Sequence, residues 1–396
     1  MKNKALLLTG LMSILACASC GGGTASTTSP ATKPSTTTAQ PEPAYNYTKE
    51  RQYQKLWLSS VIYNETCCFI EREDGTIYGE LLHNVAEVIS VRDYTLKNEI
   101  DANLYHIEGN RIYLNEGAKL PYFTQENLRG ENLPEDYAIS TYEAPNNTKI
   151  MWTEGSGIVM HHVAVTYRHT ESWDGTFPAS QKKKFPKTIQ KLENKEHLNI
   201  MFYGDSIMTG CNSSEKLSID PYQEDFPTAF TSELKRIYGY DDIEMFNNSK
   251  GGMLSDWGAQ NVAALVANEQ YNPDLVVIGF GMNDGSWKIA PQNFIDNIQH
   301  IMDAVRQFNP NCEIITVATI LPNPNSIQFQ LQPQYLEPLK TLTNSYEGAG
   351  MMDMTTFTAD LFKHKNSLDM LANNINHPSD FLVRQYTSNL LNMLGL

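Results

Sequence analysis

The chain has 396 residues, a length that suggests two domains, and 41% of them are hydrophobic, enough to fill real cores. Its formal net charge is −15, with acidic residues spread along the chain. That balance argues against nucleic acid as a partner, because binding phosphates takes a basic surface.

At the amino terminus Lys2 and Lys4 precede an apolar stretch, Ala5 to Ala16, too short to span a bilayer as a permanent helix. It ends in Ala16-Cys17-Ala18-Ser19-Cys20-Gly21. Small residues just ahead of a cysteine resemble the lipobox of bacterial lipoproteins. The resemblance implies a signal peptide over 1–20 and a lipidated Cys20, with the protein anchored in the periplasm or on the cell surface. Cys17, after Ile14-Leu15-Ala16, is the alternative cysteine, and plain secretion after a small residue is the alternative process. Residues 21–44 are mostly Gly, Ser, Thr, Pro and Ala, which bury too little surface to fold and read as a tether. Cys67, Cys68, Cys211 and Cys312 remain, without metal-ligand spacing. Cys67 and Cys68 should face opposite sides of one strand, and disulfide pairing stays open.

Residues 45–185 read as a smaller β-sandwich of jelly-roll type. Strands are expected at Cys67–Glu71, Thr76–Leu81, Val85–Val91, Leu104–Ile107, Arg111–Leu114 and Ile158–Tyr167, between turn signals such as Asp74-Gly75. His161 and His162 would lie on one strand and face opposite ways, so they read as core or surface histidines rather than metal ligands. Trp152 and Trp173 could meet sugar or fill a core. The lysine run Lys182–Lys184 fits a solvated loop.

From residue 186 strand and helix alternate. Strands are expected at Leu198–Tyr203, Ile243–Asn247, Leu275–Gly279, Ile314–Ala318 and Met351–Met354. Helices are expected at Thr228–Tyr238, Ala259–Ala267, Asn293–Phe308, Tyr335–Tyr346 and Phe381–Leu394. That order implies an α/β fold, a parallel sheet covered on both faces.

Four stretches in this half carry chemistry. Gly204-Asp205-Ser206 follows the first strand, where a turn lifts the serine off a carboxyl end of the sheet. Asn247-Asn248-Ser249-Lys250-Gly251-Gly252 follows the second, and a glycine there exposes a backbone N–H. Gly281-Met282-Asn283-Asp284 follows the third and offers a side-chain amide. Asn376-His377-Pro378 precedes the last helix, and the proline keeps His377 outside it.

Together these stretches resemble the SGNH hydrolases, the GDSL-type esterase superfamily, over roughly Leu192 to Leu396. The resemblance implies a flavodoxin-like αβα three-layer sandwich. Members with an amino-terminal β-domain and a lipoprotein-like signal look like polysaccharide acetylesterases. It also implies that Ser206 attacks an ester carbonyl, that His377 carries the proton, and that Ser206, Gly252 and Asn283 form the oxyanion hole. No metal or organic cofactor is required, and the expected partner is an acylated carbohydrate or another small ester.

One departure stands out. The family places an Asp three residues before the His, and here that position is Asn374. Asn374 could accept the imidazole N–H through its oxygen, Asp369 or Asp380 could replace the acid, or a main-chain carbonyl could serve a Ser–His dyad. Two other functions stay open: a lipase or thioesterase for longer acyl chains, and a weakened hydrolase that binds glycan.

Overall fold

The computed structural model describes residues 52–135 and 138–396. The expected signal segment, Cys20 and the expected tether lie outside the described residues, as do positions 45–51.

Five strands form the parallel sheet: β10 (Leu198–Gly204), β11 (Ile243–Asn247), β12 (Leu275–Gly279), β13 (Glu313–Ala318) and β14 (Ala349–Asp353). Their spatial order is β11-β10-β12-β13-β14. Counted from β10 this is 2-1-3-4-5, the flavodoxin-like order. Successive residues alternate between two cores, as the period of two demands. Leu198, Ile200, Phe202, Leu275, Val277 and Ile315 belong to one, and Met201, Tyr203, Val276, Ile278 and Ile314 to the other. Sequence runs with no polar face therefore sit in the middle of a three-layer sandwich.

The helices that cover it are α1 (Pro186–Asn194), α2 (Phe226–Tyr238), α3 (Ser255–Leu265), α4 (Met282–Ser286), α5 (Pro291–Phe308), α6 (Leu336–Asn344), α7 (Met354–Leu361), α8 (Ser367–Met370) and α9 (Asp380–Met393). In α5 the buried residues are Phe294, Ile295, Ile298, Ile301, Met302 and Val305, a stripe at helical spacing. Each such side chain contributes roughly 1.5–3 kcal/mol on burial. Helices α1, α4, α7 and α8 were not expected; in α1 Pro186 has no N–H to satisfy, and Glu313 accepts those of Lys187 and Thr188.

An antiparallel β-rich region precedes this sandwich. Strands β1 (Val61–Cys68), β9 (His162–Arg168) and β4 (Glu87–Asp93) make one sheet in the order β1-β9-β4. Strands β2 (Ile70–Glu71), β3 (Ile77–Glu80), β6 (Arg111–Leu114) and β5 (Tyr105–Glu108) make a second. A hairpin of β7 (Ser140–Ala144) and β8 (Thr148–Trp152) had not been expected. Cys67 and Cys68 enter different cores, and among the described residues no disulfide joins Cys67, Cys68, Cys211 and Cys312.

Expected as one strand, Ile158–Tyr167 instead contains a 3-10 turn, Val159–His161, before β9 starts at His162. His161 stacks on Phe123 with its Nδ1 at 2.7 Å from the Gly157 carbonyl. His162 Nε2 lies 2.7 Å from the Leu368 carbonyl, and burial lowers its pKa to about 4. Both are core histidines. Trp173 is buried in the main core, so it offers no sugar platform. The lysine run forms a short 3-10 turn.

The β-rich region and the sandwich share one core. A single cluster of buried side chains runs from Tyr53 through Tyr167 to Leu394. Every residue of α9 is buried, because α2 packs on one side and β1 on another. Across the same seam Lys365 Nζ donates to Glu65 Oε1 at 2.7 Å, with Asp369 at 3.6 Å.

Candidate functional site

Strands β11, β10 and β12 are neighbours, so the loops leaving their carboxyl ends emerge side by side. Gly204 closes β10, where only glycine fits: a methyl group there would meet the Gly279 carbonyl oxygen at 2.1 Å and Met208 at 2.4 Å. The chain then turns tightly. Asp205 N donates to Gly279 O, Thr209 N to Asp205 O, and Cys211 N to Ser206 O at 3.1 Å. Asp205 accepts the Ile207 N–H at 3.0 Å, but its other oxygen is buried without a hydrogen-bond partner. Burial pushes its pKa to about 7, against the Ile207 N–H, which pulls it down.

These bonds hold Ser206, itself buried, in one pose. Its Oγ lies 2.9 Å from His377 Nε2. His377 sits in a tight loop ahead of α9, where Asn373 Oδ1 accepts three backbone N–H groups, from Ile375, Asn376 and His377. The His377 carbonyl takes the Ala372 N–H at 2.9 Å, which pins the loop from the other side.

The second imidazole nitrogen meets residues that the sequence had not marked. Nδ1 lies 2.5 Å from Asn212 Oδ1 and 3.6 Å from Glu154 Oε2. Asn212 Nδ2 donates to the Glu154 carbonyl at 3.0 Å, which fixes the amide's orientation. The imidazole therefore carries its proton on Nδ1, given to Asn212, and leaves Nε2 to accept from the Ser206 hydroxyl.

Asn374 does not orient His377. Its Nδ2 donates to the Met151 carbonyl at 2.8 Å, and its Oδ1 accepts from Ser367 Oγ and Asn323 Nδ2. With φ of 62°, it turns its side chain to β8 instead of the imidazole. The two proposed replacement acids are also engaged elsewhere. Asp369 accepts the Cys68 N–H at 2.7 Å and pairs with Lys365. Asp380 accepts the Ser214 N–H at 2.9 Å.

The glycine loop is stitched to the serine turn, and the Asn283 loop to the glycine loop. Asn247 Nδ2 donates to Met208 O at 2.7 Å, and Asn283 Nδ2 to Met253 O at 3.0 Å. A methyl group at Gly251 would lie 3.8 Å from Ser206 Cβ, so the glycine loop runs against the serine. Gly252 follows at φ 76°, a conformation glycine adopts without strain. Among the described residues no acceptor is bonded to the N–H of Ser206 or Gly252. Asn283 has one amide N–H left after Met253 takes the other. Behind it Asp284 accepts from the Ser255 N–H and hydroxyl, tying α4 to α3. Burial raises the Asp284 pKa, with the Ser255 hydrogen bonds pulling it back.

Such an array supplies a hydroxyl, a base aligned on it, and backbone and amide donors beside it. Among the described residues no group of three His, Cys, Asp or Glu side chains is placed to hold a metal ion. Asn212 and Glu154 carried no sequence signal. Asn212 lies in a polar turn, Gly210-Cys211-Asn212-Ser213-Ser214, and Glu154 belongs to the β-rich region.

No curated protein sequence matches this chain. Among solved structures, it is similar to a two-domain esterase active on acetylated mannans, at 18% identity and a TM-score of 0.44. That alignment covers 55% of this chain and 54% of the other, about half its length. An acetylxylan esterase from Geobacillus stearothermophilus aligns at 16% identity and a TM-score of 0.41, over 50% of this chain and 94% of that one. A lipase/acylhydrolase from Enterococcus faecalis aligns at 19% and 0.37, over 50% and 92%. Residues 202–380 match the profile of the GDSL-like Lipase/Acylhydrolase family. The profile runs from within β10 into the first turn of α9 and contains Ser206, Gly252, Asn283 and His377, so over this stretch the chain is similar to that family.

Proposed function

We propose that the protein is a serine esterase that hydrolyses small acyl esters, acetyl foremost, on carbohydrate. The observation that carries this reading is the 2.9 Å approach of Ser206 Oγ to His377 Nε2, with Nδ1 held by Asn212. In the first step the Ser206 oxygen bonds to the ester carbonyl carbon as its proton passes to His377 Nε2. The carbonyl oxygen becomes an oxyanion that accepts from the Ser206 and Gly252 N–H groups and the Asn283 amide. One such donor is worth about 3–4 kcal/mol in the transition state. His377 then gives its proton to the departing sugar oxygen, leaving an acyl-Ser206. Water, deprotonated by His377, releases the acid and restores the hydroxyl.

Carbohydrate fits the surroundings better than a lipid chain does. Glu154, Asn212, Lys250 and Asn283 make the neighbourhood polar, and Trp287, one helical turn beyond Asn283, is 55% exposed. An exposed indole offers a face on which a sugar ring can stack. An apolar groove lined by Tyr53, Leu58, Ile237 and Leu391 is not lined by Ser206 or His377. Export and a lipid anchor at Cys20 belong to the same proposal, and rest on the amino-terminal sequence alone.

Acetate release from a panel of acetylated polysaccharides, together with 4-nitrophenyl acetate and octanoate, tests the reading. Ser206→Ala should lower kcat/KM at least 10³-fold while the protein stays folded, leaving only what the oxyanion donors supply. Retained activity in that variant, or preference for octanoate, would overturn it.

A further inference from the structure

We infer that Glu154, contributed by the β-rich region, is the carboxylate that completes the Ser206–His377 pair, as a positioning residue acting on the imidazole beside Asn212. The inference rests on the esterase reading above.

The placement comes from how β8 is docked. Asn374, in the histidine loop, donates to the carbonyl of Met151 in β8 at 2.8 Å. Glu154 follows just beyond the end of β8, and its carbonyl receives the Asn212 amide at 3.0 Å. The turn that carries it is stiff: Thr153 is buried, its hydroxyl donates to Ala138 O and accepts the Gly155 N–H at 2.8 Å. Glu154 Oε2 then lies 3.6 Å from His377 Nδ1, within ion-pair distance of a protonated imidazole.

Chemistry gives this carboxylate work that Asn212 cannot do. When Ser206 loses its proton the imidazole becomes an imidazolium. A neutral amide fixes the tautomer but leaves the new positive charge without a counterion. A carboxylate at 3.6 Å offsets it. Asp205, on the serine turn, also interacts electrostatically with the ring. Burial raises the Asp205 pKa, so its charge is only partly present near neutrality. Asp369 and Asp380, on the elements flanking the histidine, are bonded to Lys365 and Ser214. The position three residues before His377 is occupied by the asparagine that fastens β8, and β8 brings the glutamate.

Kinetics of the full chain on 4-nitrophenyl acetate test this, with thermal unfolding as the check on folding. Because Glu154 is 38% exposed, water screens its charge, and Glu154→Gln should lower kcat about tenfold with KM within twofold. Removing the anion disfavours the imidazolium, so the acid limb of the kcat–pH profile should move to lower pH. Glu154→Asp should recover part of the loss, and 1 M salt should narrow the gap between parent and Glu154→Gln. A folded Glu154→Gln with kcat within twofold of the parent and an unmoved acid limb would overturn the inference. If Ser206→Ala is inactive in the same assay, the esterase reading survives that result. If Ser206→Ala is active, both fall.

Discussion

Asn212→Ala puts the imidazole's orientation to the test. In the parent, Asn212 Oδ1 takes the Nδ1 proton of His377 over 2.5 Å, in a place where the asparagine is only 5% exposed. The bond strengthens as the ring gains charge, and a hydrogen bond to a charged group is worth about 1.5–3 kcal/mol. At 1.36 kcal/mol per factor of ten, its loss should lower kcat/KM roughly 10- to 150-fold. A second cost falls on stability. Asn212 has φ of 65°, where asparagine is tolerated and alanine costs roughly 1–2 kcal/mol. Asn212→Asp separates the two effects, because aspartate accepts this backbone, keeps an acceptor at Oδ1 and adds a charge, at the loss of the donor to Glu154 O. Steady-state kinetics on 4-nitrophenyl acetate, with thermal unfolding of each variant, should show Asn212→Ala slow and Asn212→Asp close to the parent or faster. Asn212→Ala that unfolds like the parent and works within twofold of it would refute the reasoning.

Asn374→Asp distinguishes the family's usual acid position from the one seen in this fold. The carboxylate would be buried against the Met151 carbonyl and lose the donated bond, so stability should fall by about 3 kcal/mol in urea unfolding and kcat should not rise; a stable, faster variant would mean that this side chain faces His377. Asp205→Asn addresses pH. Burial raises the folded pKa of Asp205 from 3.8 to about 7, so between those values the unfolded chain releases a proton that the folded protein keeps. Its contribution to stability is complete below the lower value and is lost as pH rises through the upper one. Asn cannot ionise, so the variant should gain on the parent by on the order of 2–3 kcal/mol between pH 5 and pH 8, read from denaturant curves. An equal difference at both pH values would show that Asp205 titrates normally.

The parallel sheet was legible because its inner strands β10, β12 and β13 are almost wholly buried on both faces. Ile243–Asn247 and Leu275–Gly279 were bounded as observed, since a run of apolar residues ends where a loop's polar groups begin. The β7–β8 hairpin was missed although its turn was written in the chain. Its three-residue loop, Pro145-Asn146-Asn147, has positive φ at both asparagines, at 61° and 57°, a conformation that asparagine tolerates better than most residues. Helix α9 misleads in another way. Its Arg384, Gln385, Ser388, Asn389 and Asn392 suggest a solvated face, yet all are buried, because β1 and the loops beside it cover that side. Ser206, Gly252, Asn283 and His377 could be named because each stands in a local block next to a strand end or helix start. Asn212 and Glu154 could not, because what selects them is packing between segments distant in sequence.

That distance ties the site to the seam between the two regions. Arg384 of α9 donates to the Asn64 carbonyl in β1 and to Gln223 beyond the serine turn. Lys365 is fully buried there, and although burial alone would lower its pKa, Glu65 and Asp369 override that and raise it. A buried charge stripped of its partner costs about 3–5 kcal/mol, so the contact across Lys365 resists opening. Asn374 adds a third tie, from the histidine loop to β8. The same ties therefore cover α9, hold the loop that presents His377, and bring Glu154 to the ring. A residue that would have supplied charge from within the loop has become a fastener, and the charge reaches the imidazole from the strand it fastens.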